Sequence, residues 1–329
     1  MSMTRWLVYP LGAAMLVGAA CAILPDTMPA ATGDRDVDIR TAPIPFDEED
    51  AARTRTGRLL WRGGIELSAD DARFGGLSGL RWRTDREGFL AITDQGHWVS
   101  LTPRESGVTL TGIAAARIGA LAGLDGTPLG TDKALADTEG VEVVGDTAFV
   151  TFERSHRIWS YDLGATGWPG GAASEVVNAP TAWFAGQADN GGAEAIAWTG
   201  DRMLLISEDG RTEDGNADGI RFALSHGPGQ PEGFAIAPPF KPTDAVAIGD
   251  SLLILARSYS PLQGVAARLY ESRGGKEVLL AELRPPLSVD NMEGIAVRRQ
   301  RGRTFIYIVS DDNFSPLQRT LLMKFELVE

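Results

Sequence analysis

The chain has 329 residues, 43% of them hydrophobic, enough for one large repeat domain or two ordinary ones. Its 39 glycines and 18 prolines are scattered along the chain, which points to many turns and excludes a collagen-like or wholly disordered protein. With 44 acidic and 31 basic residues the net charge is −13, which repels phosphate backbones and sets nucleic acid aside as a partner while suiting cations.

Arg5 is the only charge before an apolar run from Trp6 to Leu24, broken by Pro10 and small residues. A positive start followed by such a run predicts an export signal over residues 1–22, and so a protein of the periplasm or cell envelope. A lone arginine favours the general secretory route over the twin-arginine one. The sole cysteine, Cys21, follows Gly18-Ala19-Ala20. That setting suits lipidation of Cys21, with membrane attachment, or ordinary cleavage beside small residues, or an uncleaved anchor. Removal of the signal at Cys21 leaves no cysteine for a disulfide. Residues 23–55 are rich in Pro, Thr, Asp and Ala without clear periodicity and are expected to form a linker. No later stretch is long and apolar enough to span a bilayer. Residues 56–329 then form the folded domain.

Within that domain one motif recurs: a small or acidic residue, then Gly or Ala, then a short β-rich run. The copies centre on Ser78-Gly79, Glu139-Gly140, Glu194-Ala195, Asp244-Ala245 and Glu293-Gly294, a spacing of 49–61 residues. That is close to the ~40–50 residues of a four-stranded propeller blade. A second apolar run follows each copy, ending at Asp94, Glu153, Glu208, Arg257 and Asp311. Single sheets of this size cannot bury both faces, and stacking them radially does so. The expected fold is an all-β propeller of five or six four-stranded blades. A degenerate sixth blade would fall in 100–136 or 210–240. The segment Gly57–Trp61 is expected to pair with Leu321–Leu327 and close the ring. An open pair of β-sandwiches is the alternative and accounts less well for regular repeats.

A propeller turns the acidic residues towards one central mouth. Glu139, Glu194 and Glu293, with Asp244 in the matching slot of blade 4, form a first ring; Asp94, Glu153, Glu208 and Asp311 form a second. Crowded carboxylates repel, and a bound Ca²⁺ with six to eight oxygen ligands relieves that cost. The other role open to each acid is to lock a neighbouring blade by accepting backbone N–H bonds. Arg154 and Arg257 stand at nearby strand ends and suit an anionic substrate group. Asp214-Gly215-Asn216-Ala217-Asp218-Gly219 fits the start of a calcium loop, with Asp214, Asn216 and Asp218 as ligands. Ser225 stands where an EF-hand needs Glu, so a structural calcium or a plain acidic turn remain for it. His156, three residues after Glu153, is a candidate general acid or base. Zinc-protease, serine-hydrolase-elbow and Walker motifs are absent from the sequence.

Gly76-Leu77-Ser78-Gly79-Leu80, Asp137-Thr138-Glu139-Gly140-Val141, Gly192-Ala193-Glu194-Ala195, Ser207-Glu208-Asp209-Gly210, Asp290-Asn291-Met292-Glu293-Gly294-Ile295 and Ser310-Asp311-Asp312-Asn313, in this order, resemble the phytase-like family with "esterase-like activity of phytase". The resemblance covers roughly residues 70–329. It implies a β-propeller and a calcium-dependent hydrolase of phosphate or other esters. The partner would be a small anionic ester, held by Arg154 and Arg257. The rival expectation is a non-catalytic propeller that binds an envelope partner and carries a structural calcium.

Overall fold

The apolar runs of the repeat pair antiparallel with their neighbours in the chain and give five separate sheets. The computed structural model describes residues 33–130 and 132–329. Blade 1 runs outward from Leu77–Arg83 through Gly88–Thr93 and His97–Ser106 to Thr109–Ala120. Blade 2 is Thr138–Val144, Thr147–Phe152, Arg157–Asp162 and Ser174–Glu175. Blade 3 is Ala193–Trp198, Met203–Arg211, Ala217–Phe222 and Gln230–Phe234. Blade 4 is Lys241–Ile248, Ser251–Ser260, Gly264–Ser272 and Glu277–Leu283. Blade 5 takes Asn291–Gln300, Arg303–Asp311 and Thr320–Leu327 from the end of the chain, and Leu59–Ser68 from its beginning.

That last pairing closes the ring as expected: Leu59 faces Leu327, Leu60 faces Glu326 and Trp61 faces Phe325. Phe46, Trp61 and Phe325 stack over the seam. The blades number five. Residues 100–136 and 210–240, where a sixth was conceivable, hold the outer strands and loops of blades 1 and 3. Five buried apolar clusters lie one between each pair of adjacent blades, so each sheet spends both faces on its neighbours.

Two expectations change. Residues 33–55 were expected to be linker, yet they are fastened to the ring. Arg35–Asp36 pairs with the outer strand of blade 1, and Arg40–Pro43 with Leu59–Ser68. Ile39 and Phe46 anchor this stretch in two of the apolar clusters. Its strands are short and mostly exposed, so they leave no periodic signal. The candidate export signal and Cys21 lie outside the described residues. Among the described residues no helix is long and apolar enough to cross a membrane.

The second change concerns Asp244. Each inner strand is bulged where it meets the mouth, and the pairing steps past Ser78, Glu194 and Glu293 in blades 1, 3 and 5. Glu139 lies within the same irregularity in blade 2. In blade 4 the residue stepped past is Thr243, while Asp244 pairs with Leu255. Thr243 is therefore the counterpart of the glutamates. Asp244 fills the next slot, held elsewhere by Gly79, Gly140, Ala195 and Gly294. That slot is crowded. A Cβ at Gly140 would lie 2.6 Å from Glu194 O of blade 3, and one at Gly294 would lie 3.0 Å from Leu80 N of blade 1. Blade 4 puts a carboxylate where its neighbours allow nothing larger than a methyl group.

Candidate functional site

Inner strands begin and second strands end on one face of the ring, and there a cavity of about 340 Å³ opens. It gathers nine carboxylates, Asp94, Asp137, Glu139, Glu153, Glu194, Glu208, Asp209, Glu293 and Asp311, against four cations, Lys133, Arg154, Lys241 and Arg257. All seven acids expected in two rings, other than the displaced Asp244, are here with both expected arginines. Asp137, Asp209, Lys133 and Lys241 were missed. Asp137 caps the short helix Lys133–Ala136 just before the inner strand, so strand alternation gives no signal for it.

The outer acids lock blades together. Gly192 N–H of blade 3 donates to Glu153 Oε1 of blade 2 at 2.9 Å. Glu208 of blade 3 pairs with Arg257 of blade 4 at 3.1 Å and with Lys241 at 3.5 Å. Arg257 reaches on to Glu293 of blade 5 at 2.8 Å. Lys133, in the short helix Lys133–Ala136 that precedes blade 2, meets Asp94 at 3.1 Å and Asp137 at 3.7 Å. Asn313 N–H donates to Asp311 Oδ1 at 2.6 Å. Arg154 has a backbone φ of 57°, a left-handed turn that aims its guanidinium at Asp137, 2.5 Å away.

The inner glutamates differ. Burial, with the neighbouring acids, dominates at Glu139 and Glu194, and both carboxyls are pushed well above the usual range. Burial likewise raises Asp311 far up, helped by Asp94 and Glu293. Burial brings Glu293 to about 7 against the pull of Arg257. Glu139 keeps a part of its surface open to water at the bottom of the cavity, although protein surrounds it. Two buried oxygens, Asp94 Oδ1 and Glu293 Oε2, have no hydrogen-bond partner.

Oxygens of Asp137, Glu139 and Glu153 all lie within 4.8 Å of one another. Ligands at ~2.3–2.6 Å around one Ca²⁺ are separated by up to about 5 Å, so this spacing fits a hard divalent cation. The mutual repulsion of the acids around Glu139 fits it too.

Below the mouth the axis is closed. Arg81, on the inner strand of blade 1 and 3% exposed, donates to the carbonyls of Leu80, Ile196, Ala245 and Ile295. It also forks onto Asp244 at 2.8 and 3.0 Å and lies 3.3 Å from Glu142 of blade 2. Burial opposes its charge, but Asp244 and Glu142 more than offset that and raise its pKa. Burial lifts Asp244 to about 6, with Arg81 limiting the rise. One side chain thus ties five blades, and the cavity opens at a single face.

Other expected residues stand elsewhere. His156 lies outside the mouth, in a side pocket with Arg157 and Phe184, its Nε2 2.8 Å from Ala188 O. Gly192 packs against its ring. Asp214 and Asn216 belong to the hairpin turn between Met203–Arg211 and Ala217–Phe222, and Asp218 Oδ2 accepts from Trp183 Nε1 at 2.7 Å. They are not part of the mouth.

A family model described as "Phytase-like: Esterase-like activity of phytase" matches residues 72–314. The chain belongs to this family. The span matched by the phytase-like model includes every residue of the acidic cavity, while the two strands that close the ring flank it. A search of curated proteins finds no match. Among solved structures, the catalytic domain of the Coprinopsis cinerea GH62 alpha-L-arabinofuranosidase is 15% identical. The match covers 83% of this chain and 99% of that one, with a TM-score of 0.46. The Podospora anserina alpha-L-arabinofuranosidase PaAbf62A, solved with cellotriose, is 12% identical over 82% and 97% of the two chains, with a TM-score of 0.44. The beta-propeller domain of Cps50 (Swd1) from Myceliophteria thermophila is 12% identical over 89% and 100%, with a TM-score of 0.37.

Proposed function

We propose that this phytase-like propeller is a calcium-dependent hydrolase of anionic esters, phosphate esters foremost, acting in an exported protein. The observation that carries this reading is the set of oxygens from Asp137, Glu139 and Glu153 beside Arg154, in a cavity where burial and neighbouring acids outweigh the cations at Glu139 and Glu194. Asp137, Glu139 and Glu153 would hold the cation. When bound, it polarises an ester oxygen and offsets the carboxylate charge. Arg154 and Lys133 at the rim, and Arg257 across the cavity, orient the anionic group. Glu194 takes the proton of the attacking water at a carboxylate oxygen. The leaving alkoxide collects its proton from solvent at the open face. The arginine-led apolar segment of residues 1–22 supports export, and Cys21 supports a lipid anchor.

The test is hydrolysis of simple phosphate and carboxylate esters by the full chain in calcium and in EDTA. Activity should require calcium. Glu194→Gln should lower kcat by about 10²–10⁴, the range for a general base. Glu139→Gln should raise the calcium needed for half-maximal rate. Wild-type activity in a Glu139→Gln/Glu194→Gln chain would overturn the proposal. The inter-blade locks of Glu153 and Glu208 favour one alternative, a structural cation in a binding propeller. It would show as a calcium-dependent rise in Tm with no ester cleaved.

A further inference from the structure

Two adjacent loops share a tetrapeptide, Ser260-Pro261-Leu262-Gln263 in blade 4 and Ser315-Pro316-Leu317-Gln318 in blade 5. Each joins the second strand of its blade to the third, so both rise from the face that holds the mouth. Gln263 N–H donates to Ser260 Oγ at 3.0 Å, and Gln318 N–H to Ser315 O at 3.2 Å. The proline fixes φ inside each turn. Leucine is left at the tip, with Leu262 97% and Leu317 91% exposed.

Single exposed leucines are ordinary. Leu317, however, lines a groove of about 560 Å³ with Tyr259 and Val265 of blade 4. Tyr259 and Val265 face each other across the hairpin, two residues beyond the Arg257–Ala267 pair. Tyr259 is 67% exposed. Arg257 and Asn313 line both this groove and the acidic cavity, so the two spaces adjoin. Tyr259, Val265 and Leu317 form the apolar part of the groove, and its polar part carries Asn291, Gln318 and Asp290, the last paired with Arg319 at 3.6 Å.

We propose that this groove receives the alkyl or aryl part of the ester, so that the substrate is an amphiphile with its anionic head in the mouth. The inference rests on the hydrolase reading and names its substrate class. Each methylene buried against Tyr259, Val265 and Leu317 adds up to about fourfold in affinity.

Decyl phosphate and ethyl phosphate, titrated calorimetrically into the calcium-loaded Glu194→Gln full chain below the micelle concentration, test it with turnover suppressed, the wild-type chain being kept for the hydrolysis assay. Decyl phosphate should bind at least about tenfold more tightly. Tyr259→Ser/Leu317→Ser should remove that preference and leave ethyl phosphate binding unchanged. Leu262→Ser, equally exposed but outside the groove, should keep it. Equal affinity for the two ligands, or no binding of decyl phosphate, overturns the groove. So does an equal loss in Leu262→Ser, which would mark a general apolar surface. Hydrolysis of both phosphates is followed in parallel. A decyl preference without turnover sinks the hydrolase reading and leaves the groove standing. Turnover of both with no preference does the reverse.

Discussion

Arg81 and Asp244 show how much one buried pair can organise. Asp244 is fully buried and also accepts backbone N–H bonds from Ala245 at 2.7 Å and from Ile295 of blade 5 at 2.8 Å. Removing Asp244 leaves Arg81 with Glu142 as its remaining counter-charge, and breaking a buried pair costs up to about 3–5 kcal/mol. Asp244→Ala is a clean probe, because blade 3 carries Ala195 in the same slot and the backbone already accommodates a methyl group there. Urea unfolding should show that loss. A change below about 1 kcal/mol would mean that Glu142 and the four carbonyls satisfy Arg81 without Asp244.

The seam between the first and last strands is what makes the ring a closed object. Phe325 is fully buried, 5.3 Å from Trp61 and 6.0 Å from Phe46 between ring centres. Phe325→Ala should cost about 3–5 kcal/mol in guanidinium unfolding, through the cavity left and the lost burial. A cost under about 1 kcal/mol would show that the seam adds little to stability. The same seam recruits Arg40–Pro43, which is why the stretch expected to be a linker is held as an edge strand. Bulges set the other element-level feature. They turn Glu139, Glu194 and Glu293 out of the ladder and into the mouth, while Thr243 occupies that position in blade 4.

The acidic mouth makes the stability of the whole ring depend on pH and calcium. Glu139, Glu194 and Asp311 have carboxyls raised well above normal, chiefly by burial, and Glu293 is raised to about 7. Such groups bind more protons folded than unfolded, so stability falls as pH rises from the unfolded value through the folded one. Burial, with Arg73 nearby, lowers His97 from 6.5 to about 4, which acts in the opposite sense but only below pH 6.5. Above it the carboxylates decide. In EDTA, Tm should therefore fall by several degrees between pH 6.5 and about 8.5. Calcium should flatten this fall and stabilise more at the upper pH, since it competes with the same protons. Differential scanning fluorimetry reads both. A Tm in EDTA that rises over this window would contradict the assignment.

The sequence by itself determined the repeat, the strand runs, the closing pair of strands and most acids of the mouth. These follow from local patterns: continuous apolar runs of strand length, a small residue after each acidic one, and a carboxylate at most second-strand ends. Only the tertiary structure separated the acids into inter-blade locks and unpaired glutamates, because that depends on which cation a neighbouring blade presents. Register, which a one-residue bulge shifts without changing composition, decided that Asp244 belongs to the axis and not to the ring of glutamates. Long-range closure decided that His156 faces a side pocket, that Arg81 seals the axis, and that the two Ser-Pro-Leu-Gln loops differ in surroundings although they match in sequence.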